Sequence, residues 1–171
     1  MSAPSNTAPN AHEVNGLVTA DIQTSLELSE LLAKESDALK SRDQNQLNDL
    51  LVRKQELMQI LDQNAKTRDI WLNLELAQSP QNSEQTKKSI WSDLLMRMGG
   101  PKLIDSWQQL EKNISECKKR NEVNGIMIAR GRQTMKQLLN IIRGHNLEAP
   151  KLYTASGGTK LQEYSQPLVK A

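Results

Sequence analysis

From Leu103 to about Arg143 the residues recur with alternating steps of four and three: Leu103, Trp107, Leu110, Ile114, Cys117, Asn121, Asn124, Ile128, Gly131, Met135, Leu138 and Ile142. That spacing places one line of side chains along one face of a single long amphipathic helix. At a rise of about 1.5 Å per residue the helix reaches roughly 60 Å, too far for one compact globule to cover unless its partners are long too. Part of the stripe is therefore expected to be left for another molecule. The middle of the seam carries Asn121, Asn124 and Gly131 where an ordinary helical core places leucine.

The other segments obey the same period. Aromatic residues make up only 3% of the 171, Phe is absent, and Leu, Gln, Lys, Glu and Asn dominate over β-branched runs, which excludes a sheet-based core. A hydrophobic fraction of 37% against 25% charged lies at the polar end for a globule and suits a long, thin molecule. The fold class expected is all-α: an elongated antiparallel helical bundle or coiled coil of three main helices with a short capping helix and flexible termini.

In chain order, residues 1–15, with Pro4, Pro9 and small polar side chains, are expected to be a disordered tail in which His12 is solvated. Leu17, Val18, Ile22, Leu26, Leu28, Leu31, Leu32 and Leu39 predict a first helix over 16–40 with a broad apolar face. Ser41-Arg42-Asp43 interrupts it, and Ser41 or Asp43 is the N-cap expected for a second, antiparallel helix over 43–77. Lys54 and Arg68 fall on the apolar line of that helix, where stems pack and charged heads are expected to reach water. Residues 78–88 read as a loop around Pro80. Ile90, Trp91, Leu94, Leu95 and Met96 predict a capping helix over 89–98, closed by Gly99-Gly100-Pro101. The third main helix is expected over 102–143, with Pro101 in its first turn and Gly144 just past its end. The bundle domain is thus 16–144, and 145–171 is expected to be a flexible tail in which Leu152, Tyr153 and Tyr164 are isolated apolar groups suited to a short docking motif.

Charge divides the chain. Residues 118–171 hold ten Lys/Arg against three Asp/Glu, net +7, and residues 1–117 hold twelve against seventeen, net −5. A basic half attracts nucleic acid, an anionic surface or an acidic protein. No aromatic platform interleaves these cations, so a solvated helix face containing Arg130, Arg132 and Lys136 is preferred to a nucleic-acid partner.

The chemistry of an enzyme is missing. The sequence has no H-E-x-x-H, no G-x-S-x-G and no glycine-rich phosphate cradle after a strand, and its two histidines, His12 and His145, with the single Cys117 do not make a metal site. Neither a cofactor nor a metal is expected. Cys117 on the seam reads as a small buried hydrophobe of a reducing compartment. No segment has the pattern of a signal peptide or a membrane span, so a cytoplasmic protein without membrane insertion is expected.

The run Leu110, Cys117, Asn121, Asn124-Gly125-Ile126, followed by Leu138-Leu139 and a later Tyr153 before a glycine pair, resembles the flagellar export chaperone FlgN family. Leu31-Leu32-Ala33-Lys34-Glu35-Ser36-Asp37-Ala38-Leu39 and the stretch Leu50 to Leu61 add weaker support, so the similarity spans about residues 17–155. The resemblance implies a type III secretion chaperone that binds the terminal helices of hook–filament junction proteins, prevents their premature assembly and delivers them to the flagellar export gate or ATPase complex. It further implies client contacts at Ile128, Met135, Leu138, Leu139 and Ile142, and gate docking through Tyr153. Asn121 and Asn124, with Gly125 beside them, have two readings, as buried amides that fix helix register or as a polar break limiting how far a client pairs along the seam; the first is favoured. The alternative to the chaperone is a non-enzymatic homo-oligomeric coiled-coil scaffold in which the long helix closes on its own copy.

Overall fold

A computed structural model describes residues 8–78 and 87–143. All three of its elements are α-helices: α1 (Ala11–Ser41), α2 (Gln44–Gln78) and α3 (Lys87–Ile142), with no strand among the described residues. The chain divides into two units, Met1–Met127 and Ile128–Ala171.

The first helix begins earlier than periodicity alone suggests. Asn10 is its N-cap: the Asn10 side chain accepts from the Glu13 amide at 2.9 Å, and the Asn10 amide donates back to the Glu13 carboxylate at 3.1 Å. This reciprocal box satisfies two otherwise unpaired donors. It draws residues 11–15 out of the expected disordered tail and buries Val14 completely. Residues 1–7 lie outside the described residues. At the other end Arg42 adopts the left-handed conformation (φ 59°), and the Asp43 amide donates to the Ala38 carbonyl at 3.0 Å. Of the two candidate caps for α2 the structure uses Asp43, whose carboxylate accepts from the Gln46 amide at 3.0 Å. Of the loop expected over 78–88, Gln78, Lys87 and Lys88 are helical; residues 79–86 lie outside the described residues.

The residues expected to form a short helix over 89–98 are helical, and the break expected at Gly99-Gly100-Pro101 falls at Gly100. Residues 89–98 belong to α3, which runs on through Pro101 to Ile142 and is interrupted only by the non-helical backbone of Gly100 (φ 64°, ψ −156°). Pro101 lacks the amide that would close the preceding turn, and Gly100 takes a backbone conformation that side chains disfavour, so the helix direction can reset there. Gly99 is equally constrained: a Cβ at this position would stand 2.7 Å from that of Leu103.

The first unit has two apolar clusters separated by a polar layer. Val14 and Val18 of α1 pack with Trp71 and Leu72 of α2 and with Ile90, Trp91, Leu94, Leu95 and Leu103 of α3. Trp91 meets Trp107 edge to face at 5.2 Å between centroids. The second cluster joins Leu28, Leu31 and Leu32 to Leu57 and Cys117. Along α3 the fully inward line is Leu103, Leu110, Cys117 and Asn124, one residue in seven, accompanied by Asn113. Trp107 and Ile114 are half-buried, and Asn121 is exposed. The packed face is thus turned slightly from the line drawn through all the seam residues.

Candidate partner-binding surfaces

Between the two apolar clusters, polar side chains join the helices. Asp21 of α1 is completely buried; it accepts from Asn64 Nδ2 at 2.6 Å and from the guanidinium of Arg68, both on α2. Arg68 also stands 5.4 Å from the centre of the Trp107 ring on α3. Loss of water pushes the Asp21 carboxyl above its ordinary range, outweighing the opposite pull of Asn64 and Arg68. One turn further on, Asn113 donates to Ser25 Oγ at 3.2 Å, and the Cys117 thiol donates to the Ser25 carbonyl at 3.3 Å. Burial pushes the Cys117 thiol up, which keeps it protonated and unreactive.

A second polar group closes the far end of this unit. Glu35 is bound by Lys54 Nζ at 2.9 and 3.0 Å and by Asn124 Nδ2 at 2.8 Å, while the same Asn124 amide donates to the Leu32 carbonyl at 2.9 Å. Three helices therefore meet on one carboxylate. The expected exposure of the Lys54 and Arg68 heads is thereby corrected: buried acids on α1 hold both, because a carboxylate left alone in this interior would be costly.

Between α2 and α3 lies an open groove of about 340 Å³, with Leu28, Leu32, Leu61, Leu110, Ile114 and Cys117 among its lining residues. Arg68 and Lys54 line it too, and Asn121 and Lys118 contribute to its wall. Sequence reading did not find this groove, because the period marks apolar residues without showing whether a neighbour covers them.

In the second unit the described residues are the α3 segment from Ile128 to Ile142 and Arg143. Here apolar side chains face water: relative exposure is 41% at Ile128, 58% at Met135, 50% at Leu138, 41% at Leu139 and 80% at Ile142. These five share one side of the helix by their spacing. Gly125 is exposed in the first unit, and a Cβ there would meet nothing within 4 Å. Tyr153 lies outside the described residues.

The first unit is a helical bundle pinned by buried polar pairs, and the described helix of the second leaves open an apolar face of the kind suited to a partner helix. The FlgN family model, described as FlgN protein, matches residues 1–160, and the chain belongs to that family of flagellar export chaperones. A search of curated proteins and one of solved structures returned no match. Among the described residues no helix is long and apolar enough to cross a membrane, and no group of three or more His, Cys, Asp and Glu is placed to hold a metal ion.

Proposed function

We propose that this chain is a cytoplasmic chaperone of flagellar type III export whose clients are the hook–filament junction proteins. It binds a terminal amphipathic helix of the client along Ile128, Met135, Leu138, Leu139 and Ile142, masks the face by which the client would assemble too early, and hands it to the export gate. Tyr153 is the residue assigned to gate docking. The observation that carries this reading is the exposure of five large apolar side chains on one face of a helix. Burying such a face against a client's own apolar face is favourable by about 25 cal/mol per Å² before the costs of association. Helix-in-groove binding of this kind uses anchors at the same three- and four-residue spacings that the segment presents.

Ending the chain after Arg130 tests the assignment: the shortened protein is expected to keep a cooperative unfolding transition and to lose measurable affinity for a junction-protein terminal segment. Undiminished affinity would contradict it. Tyr153→Ala is expected to leave client affinity unchanged while weakening association with the export gate; a large loss of client affinity would instead place Tyr153 in the client contact.

A further inference from the structure

The apolar stripe of the second unit is not symmetrical in charge. Between Ile128 and Arg143 the chain has four cations, Arg130, Arg132, Lys136 and Arg143, and no Asp or Glu. All four are exposed, and no ion pair among the described residues engages them. At about 100° per residue, Arg132, Lys136 and Arg143 fall within roughly 40° of one another, directly beside the line of Ile128, Met135 and Leu139. The opposite side carries the uncharged Thr134 and Ile141, with the single cation Arg130 about 20° beyond Ile141, further from the stripe. One edge of the stripe is a row of three cations, and the other side has only Arg130, set further back.

Resting on the reading that this stripe binds a client helix, we infer that its partner is an amphipathic helix with carboxylates along one edge of its apolar face, paired with Arg132, Lys136 and Arg143. The apolar contact supplies affinity. The charged edge supplies direction, because turning the partner end for end moves its carboxylates away from the row of three cations to the side where only Arg130 stands, further from the stripe. The same pattern disfavours the other occupants. Two copies of this segment laid together bring only cations to each other. A helix built to lie on an anionic membrane distributes Lys and Arg over its polar face and sets large aromatics into the lipid boundary, whereas this polar face is mainly Gln133, Gln137 and Asn140 and the segment has no aromatic residue.

The test uses the full chain and a charge-reversed form, R132E/K136E/R143E, with retention of helix content checked by circular dichroism. Two designed peptides share one leucine face and differ only in carrying Glu or Lys along one edge; a junction-protein terminal segment is the third ligand. Three exposed pairs predict a preference of roughly tenfold for the Glu peptide at low salt, shrinking at high salt and inverted by the reversal. Equal binding of the two peptides overturns the charged edge while leaving the apolar stripe intact. If the junction segment binds equally well to the wild type, the reversal and a Leu138→Asp/Ile142→Asp form, the stripe assignment falls as well. Vesicles rich in phosphatidylglycerol that the Glu peptide cannot displace, or a dimer abolished by Leu138→Asp, would give the face to lipid or to a second copy and overturn the inference.

Discussion

Asp21 shows how one side chain can make a whole helix pair specific. Its carboxylate sits at zero exposure and depends on Asn64 and Arg68. Removing one partner of a buried ion pair costs about 3–5 kcal/mol, so Arg68→Leu is expected to lower unfolding stability by that order, and a loss below about 1 kcal/mol in urea titration would show that the pair is dispensable. The pH dependence has a definite sign. Because the folded-state carboxyl lies above its ordinary 3.8, its contribution is greatest below that value and is lost as pH rises through the folded-state pKa. The stability of the natural protein relative to Asp21→Asn should therefore grow on going from pH 7 toward pH 4; a difference that shrinks would contradict the desolvated placement. None of this was legible in the sequence. Asp21 and Arg68 are 47 residues apart, and on its own helix each resembles an ordinary charged residue. Leu103, Leu110 and Cys117, by contrast, lie on a line that spacing alone already assigned to one face of the helix.

At the scale of elements, the helices were legible and their punctuation only partly so. The sequence left Ser41 and Asp43 as candidate caps for α2, both able to accept from an unpaired amide, and the structure uses Asp43, whereas the box of Asn10 and Glu13 was obscured by the proline-bearing tail before it. The Gly99-Gly100-Pro101 signal read correctly as a break in helical backbone, which the structure places at Gly100. Gly100→Ala is expected to destabilise the protein by about 1–3 kcal/mol, since only glycine adopts φ 64°, ψ −156° without strain; an unchanged thermal midpoint would contradict this backbone. Gly131 behaves oppositely. It is helical and a Cβ there would meet nothing within 4 Å, so Gly131→Ala should raise the helicity of the segment and stabilise it by about 0.5–1 kcal/mol. Amide hydrogen exchange across residues 128–142 reads the difference directly, and faster exchange in the variant would oppose the prediction. The apolar stripe here was visible as a period, yet periodicity does not separate a face that is packed from one that is bare, and the exposure of Met135, Leu138 and Ile142 came only from the structure.

For the whole molecule, membership of the FlgN family is joined to a first unit whose helices are held together by specific buried pairs and a second whose described helix exposes an apolar face. Buried pairs such as Glu35 with Lys54 and Asn124 favour one packing of the helices over others. The most direct test of this account is titration calorimetry of the full chain against a terminal segment of a hook–filament junction protein, at two salt concentrations and several temperatures, beside the Leu138→Asp/Ile142→Asp form. The account predicts binding with a negative heat-capacity change that weakens but persists at high salt and disappears in the variant. Absence of binding, or binding that the two aspartates leave unchanged, would contradict it.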